Sequence, residues 1–117
     1  MPILRIDYNP KLVGRDTIAA FSEDILEKSM QIFDMKKDLF SVFVREFSEF
    51  DFSGACIELE VLCGAHEFVK EGKTVEEVRD TWSQEHASAV TEWKSDRQVG
   101  SIISAVTAVN WKVHWNK

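Results

Sequence analysis

At 117 residues the chain suits one domain of ordinary size, and 44% hydrophobic residues supply a core that is real but small. A net charge of −6 argues against general affinity for nucleic acid or an anionic membrane surface, since no obvious basic patch meets either. No apolar run approaches the roughly 20 residues that span a bilayer, and the N-terminus, with one arginine and no long apolar segment, does not read as a secretory signal.

The chain opens with Met-Pro and runs into a weakly alternating segment, Ile3 to Tyr8, that predicts a first strand closed by Asn9-Pro10. From Asp16 the period becomes helical: Ile18, Phe21, Ile25 and Ile32, with Leu26, Met30 and Phe33, form one broad apolar stripe. Asp16 or Thr17 is the expected cap. The stripe fades at Asp34 and the polar run Lys36-Lys37-Asp38. LFSVFVREF then reads as a second strand, apolar on both faces and therefore expected to be covered on both. SEFDFSG is a loop, and ACIELEVLC a third strand with Ile57, Leu59 and Val61 facing one way and Glu58 and Glu60 the other.

In the second half, Thr74-Val-Glu-Glu77 is a capping box that opens a helix through Val78, Trp82 and Val90 to Trp93. A second capping box, Ser95-Asp-Arg-Gln98, precedes Val99, Ile102, Ile103 and Val106 at helical spacing, which predicts a further helix or a bend near Lys94. VNWKVHW alternates cleanly, with Val109, Trp111, Val113 and Trp115 on one face, and predicts the closing strand. Trp111 and Trp115 are expected in packing or in a subunit interface.

The order is two β-α-β units, 2–50 and 55–116, in a single domain over 1–117, with an extended or extra helix around 74–94. Crossovers of this length make each unit's strands parallel and cover them with helix on one face. The expected fold is an α/β (α+β) two-layer sandwich: a four-stranded sheet with the helices on one face. The other face, judged from strand two, is apolar enough to meet other subunits.

Cys56 and Cys63 lie seven residues apart in one strand, roughly 23 Å at ~3.3 Å per residue, which is far beyond disulfide reach. Two free thiols suit a reducing compartment, so a cytoplasmic protein is expected. His66, His86 and His114 show no metal-ligand spacing, and no metal or cofactor is expected. Glu58 and Glu60 read as solvated rather than as a catalytic pair.

Two β-α-β units starting at Met-Pro resemble the tautomerase superfamily, whose members include 4-oxalocrotonate tautomerase, 5-carboxymethyl-2-hydroxymuconate isomerase and macrophage migration inhibitory factor. PILRIDY resembles the first strand of that family, GRDTIAAFSEDILEKS its Gly-Arg-polar helix entry, and KSDRQVGSIISAV the repeat of that entry. DFSG resembles the phenylalanine-containing turn that helps wall the pocket. The match covers nearly the whole chain, with two departures. The span from Gly64 to Lys94 is longer than usual, and the point on strand two where the family often carries a substrate-binding arginine holds Ser41 or Phe43.

The resemblance implies a cofactor-independent tautomerase or isomerase acting on a small 2-keto or enol acid, with related dehalogenase, hydratase or decarboxylase chemistry in its range. Removal of Met1 would turn Pro2 into a secondary amine. An apolar pocket and nearby cations would lower its pKa and make it a general base. Arg15, in the helix entry, and Arg45, on strand two, are the candidates for holding the substrate anion and the developing enolate. Lys11 and Phe52 are candidate substrate-binding neighbours, and Arg5 is a weaker one. A homotrimer with the site near a subunit boundary is implied, with no nucleic-acid or membrane partner. The plain alternatives are that Pro2 merely starts an edge strand, that Arg15 is a solvated residue beside Asp16, and that Phe52 is core. At the level of the whole chain, they are a ferredoxin-like sandwich of antiparallel strands serving as a dimeric binding module or small oxygenase, or a tautomerase fold without activity.

Overall fold

The computed structural model describes residues 1–110. Its strands are β1 (Ile3–Tyr8), β2 (Ser41–Glu46), β3 (Ile57–Gly64) and β4 (Ile102–Val109), and its helices are α1 (Arg15–Phe33) and α2 (Val75–Lys94). They form one sheet in the order β2-β1-β3-β4. β1 pairs parallel with β2, β3 parallel with β4, and the two units join through the antiparallel β1–β3 pair. Adjacent parallel pairs of this kind rule out the ferredoxin-like arrangement. The two-layer, helices-on-one-face sandwich expected from the sequence is the fold observed.

Strand alternation decides which side each residue serves. Leu4, Ile6 and Tyr8 of β1 and Ile57, Leu59, Val61 and Cys63 of β3 are buried toward the helices. α1 answers with Ile18, Phe21, Ile25, Ser29 and Phe33, and α2 with Val78, Trp82, His86, Ala89, Val90 and Trp93. Both sets recur every three or four residues, the period of a single helical stripe. Phe21 meets Trp93 edge-to-face at 4.9 Å and Phe33 meets Trp82 at 4.5 Å, so aromatic pairs tie the two helices together.

Several expectations need correction. α1 begins two residues earlier than read, because Gly14 rather than Asp16 or Thr17 is its N-cap, without a side-chain capping bond. Within a single chain β2 is an edge strand, with Phe43 and Val44 46% and 41% exposed, so any further cover for it comes from outside the described residues. The outer sheet face is also less apolar than β2 suggested, since Arg5, Asp7, Glu58, Glu60 and Arg45 alternate onto it, with Arg5 3.9 Å from Glu60. The largest revision concerns 99–109. No helix follows α2 among the described residues; Thr74 caps α2 as expected, accepting from the Glu77 N–H at 3.1 Å, but Ser95 ends it. Ile102–Val109 is instead β4, in register with β3 from Ile57↔Ile102 to Gly64↔Val109. Val99, Ile102, Ile103 and Val106 fit a helical period, yet a short β-branched run fits a strand equally, and the unpaired edge of β3 decides the matter. The closing strand expected through Trp111 and Trp115 thus falls mostly outside the described residues.

One polar pair lies inside the helix–helix seam. Ser29 and His86 are almost fully buried. The imidazole Nδ1 lies 2.8 Å from the Trp82 carbonyl oxygen, which can only accept, so the proton sits on Nδ1. Nε2 is then the acceptor for the Ser29 hydroxyl at 2.9 Å. Burial lowers the His86 pKa, opposed by the bond to Trp82. The unfolded chain therefore binds a proton more readily than the native one below the ordinary histidine value of about 6.5. Native stability should hold above that pH and decline as pH falls through it toward the lowered native value. Thermal melts between pH 7.5 and 5 should show this decline, and His86→Gln should flatten it. Ser29→Ala, which strands the buried Nε2, should cost about 1–3 kcal/mol at neutral pH.

Candidate functional site

β1 is the axis of the candidate site, and its two ends differ in chemistry. Pro2 stands at its start. Its side chain is fully buried on the helix-facing side, while Met1 before it is 55% exposed. The Pro2 carbonyl accepts from the Ser41 N–H at 3.1 Å, which fixes where β2 begins. Continuing the β1–β3 register one step beyond Ile3↔Leu62 sets Pro2 across from Cys63, which is fully buried. Burial pushes the Cys63 thiol up to about 11, while the N-terminal positive charge pulls the other way, with Lys70 adding a smaller pull. Cys63 is thus a neutral, apolar neighbour for Pro2. Under this end lie Phe33, Phe40, Phe68 and Trp82, with ring separations of 4.5 to 6.2 Å along the chain Phe40–Phe33–Trp82–Phe68.

The other predicted residues gather at the opposite end. Arg15, the first residue of α1, is exposed and lines a cleft with Tyr8, Asp16, Ser22, Val44 and Glu46. There the Tyr8 hydroxyl donates to Glu46 at 3.2 Å. Burial raises the Tyr8 pKa and the Glu46 carboxylate raises it further, with Arg15 opposing. Arg45 lies across from Asp7 on the outer face, its guanidinium 6.0 Å from the Phe43 ring. Lys11 and Phe52 share a second cleft beyond the end of β1, together with Asn9, Pro10, Phe47 and Asp51. Phe52 is 97% exposed and Phe50 89%, so neither is core.

The fold therefore brings Lys11 and Phe52 together, sets Arg15 and Arg45 near that same end, and separates all four from Pro2. Six residue steps along β1 separate Pro2 from Tyr8, roughly 20 Å at ~3.3 Å per residue. Within one chain these residues do not make one site. The sequence reading missed the immediate company of Pro2: Cys63 and the segment after β3, including Lys70. The signal was the third strand itself, since a strand antiparallel to β1 ends beside the residue where β1 begins.

No family model matches the chain, and no curated protein matches it in sequence. Solved structures do match in fold. 5-carboxymethyl-2-hydroxymuconate delta-isomerase aligns with a TM-score of 0.64 at 16% identity, covering 99% of this chain and 89% of that one. Malonate semialdehyde decarboxylase, described with both decarboxylase and hydratase activities, aligns at 0.63 and 11%, covering 98% and 92%. A fused 4-OT in the form of a symmetric trimer aligns at 0.60 and 11%, covering 92% and 85%. The chain has the fold of these three solved enzymes.

The two thiols, both free, sit in different surroundings: Cys63 is buried and Cys56 half-buried. A thiol-specific chromogenic disulfide at pH 8 should therefore titrate Cys56 readily in the native protein. Cys63 should react only at the rate of unfolding, and denaturant should release it at once.

Proposed function

We propose that this chain is a cofactor-independent tautomerase whose general base is the secondary amine of Pro2, freed by removal of Met1, acting on a small 2-keto or enol acid. The observation that carries this reading is the placement of Pro2: buried at the start of β1, against a neutral thiol and above an aromatic floor, in a fold shared with enzymes. For one of those neighbours, malonate semialdehyde decarboxylase, a proline-to-alanine mutant at the first position has been crystallised.

The chemistry follows from the surroundings. An amine in an apolar pocket is penalised for being charged, so its pKa falls below the ordinary α-amino range of about 7.7–8.0. The neutral nitrogen takes a proton from the carbon beside the substrate carbonyl. The electron pair of that C–H bond becomes the C=C bond of the enol, and the carbonyl oxygen takes up the developing negative charge. In the reverse direction the protonated proline returns the proton to carbon. Neither step needs a redox group.

The enolate requires a positive partner, and Arg15 and Arg45 fit that role only from another copy of the chain. A homotrimer that sets the far end of one β1 against the Pro2 end of the next would supply both arginines. It would also give the exposed Phe52 ring a pocket to close and place Lys11 at the rim. This assembly gives a partner to two features of the single chain, an almost fully exposed phenylalanine and a buried proline whose nearest candidate arginines lie at the other end of β1.

Intact mass should show a chain lacking Met1, and that protein should ketonise phenylenolpyruvate or 2-hydroxymuconate. Pro2→Ala should lower kcat/KM by about 100-fold or more, the range of a lost general base. The acidic limb of the pH–rate profile should lie below the ordinary α-amino range. Equal rates for the two proteins would remove Pro2 from the mechanism. Mixing Pro2→Ala chains with Arg15→Ala/Arg45→Ala chains should restore activity, because sites shared between copies regain one intact set; no restoration would refute the sharing.

A further inference from the structure

The topology collects five chain segments at the Pro2 end of the sheet: the start of β1, the start of the parallel β2, the end of the antiparallel β3, the short helical turn Ala65–Phe68 that follows it, and the end of β4. Lys70 comes two residues after that turn. Phe68 pins the segment, since it is fully buried and its ring meets Trp82 at 4.8 Å. The Lys70 ammonium lies over the same indole, 5.7 Å from the ring centroid. Trp82 packs on Phe33, Phe33 on Phe40, and Phe40 precedes the residue whose N–H holds the Pro2 carbonyl. Lys70 therefore stands at the rim of the apolar floor beneath Pro2.

The charge of Lys70 is also uncommitted. The neighbouring Glu67 lies 3.0 Å from His66, and Lys70 has no carboxylate within ion-pair distance among the described residues. Other lysines reach this end: Lys36 and Lys37 ahead of β2, and Lys73 further along the loop. Among the described residues none of these three rests on the aromatic floor. Cys63, across from Pro2, feels the N-terminal charge, then the opposing Glu67 carboxylate and, more weakly, Lys70, so the two cations share this neighbourhood with one carboxylate.

A 2-keto acid presents two anionic demands to such a site. Its carboxylate is charged from the outset, whereas the enolate oxygen gains charge only as the proton leaves. We propose that Lys70 is the carboxylate-holding residue of the Pro2 site, supplied within the same chain where β2 offers no arginine. This rests on Pro2 being the base. The substrate carboxylate then meets Lys70 at the rim of the buried Trp82–Phe33 cluster, and the neighbouring copy's arginine is left for the enolate oxygen. The same ammonium repels the protonated form of the Pro2 amine and helps keep it neutral.

Calorimetric titration with pyruvate, and with pyruvamide as its uncharged counterpart, reads Lys70 without any turnover. Lys70→Gln should weaken pyruvate binding about tenfold, corresponding to ~1.4 kcal/mol, and leave pyruvamide unchanged. Lys70→Arg should keep pyruvate within about threefold, because the charge and the aromatic contact are both retained. In turnover, Lys70→Gln should raise KM with a much smaller change in kcat, and move the acidic limb of the pH profile upward. The residue is exposed, so Lys70→Gln should melt as the parent does. Unchanged pyruvate affinity in Lys70→Gln, or equal losses for pyruvate and pyruvamide, would overturn the assignment. So would a parent protein that does not bind pyruvate. Failure of the Pro2 reading looks different: Pro2→Ala would retain full turnover while the pyruvate titrations still ranked the Lys70 variants as above.

Discussion

The antiparallel pairing of β1 with β3 is the constraint on which the remaining geometry depends. It joins two parallel β-α-β units back to back, and it fixes two neighbourhoods at opposite ends of the sheet. Because β1 and β3 run in opposite directions, the start of one lies beside the end of the other. The loop directly after β3 is therefore delivered to Pro2, and the loop directly after β1 is carried away from it. The loop after β3 becomes the wall of the proline site, whatever its sequence resembles. Arg15, placed by the loop after β1, is excluded from that site in the same chain by the direction of a strand rather than by any property of its own side chain.

Much of the fold was legible because local and long-range signals agreed. Ile3–Tyr8 alternates and is bounded by Asn9-Pro10; Thr74 and Glu77 form a cap that needs no tertiary partner. Reading failed where a local pattern admitted two answers. Ser95 to Gln98 has the residues of a capping box, and Val99, Ile102, Ile103 and Val106 are spaced as on a helix. The same stretch is rich in β-branched residues, and β3 has a free edge beside it whose backbone groups need partners. A parallel pairing is set by a residue some forty positions away, which no window of local sequence contains. The candidate site was misjudged for a related reason. Residue type and nearness to motifs point to the arginines, whereas membership of a site depends on which end of a strand each loop serves. Phe52 shows the same lesson in another form: its phenylalanine-bearing turn was recognisable, but its exposure in a single chain was not.

The seam between α1 and α2 adds a second constraint, on how the floor of the site is held. Trp82 provides the ring under Lys70, and its backbone carbonyl accepts the hydrogen bond from the His86 Nδ1–H. The Ser29–His86 pair thus sets the register of α2 against α1 at the level of the aromatic cluster. A buried polar pair contributes little net stability, because each group gives up water to make its bond, but a shifted register would leave both groups unsatisfied. The cost of being wrong is what confers specificity here. The aromatic cluster at the Pro2 end is positioned by a hydrogen-bond pair that lies in the helix–helix seam.

Charge presents the last difficulty, since a protein with a net charge of −6 is proposed to take an anionic substrate. At physiological salt the screening length is about 8 Å, so the acidic outer surfaces of α1 and α2 act weakly on a molecule at the end of the sheet. What acts strongly is the handful of groups within direct reach, and less water there makes each of them count for more. Cys63 matters in this respect because of what it lacks. A thiol held neutral by burial adds no negative charge beside the proline, whereas a carboxylate at that register position would favour the protonated amine and repel the substrate together. The acidic composition and the proposed anion site are compatible because the interior face of β3 turns Cys63 toward Pro2 and sends Glu58 and Glu60 to the other side of the sheet.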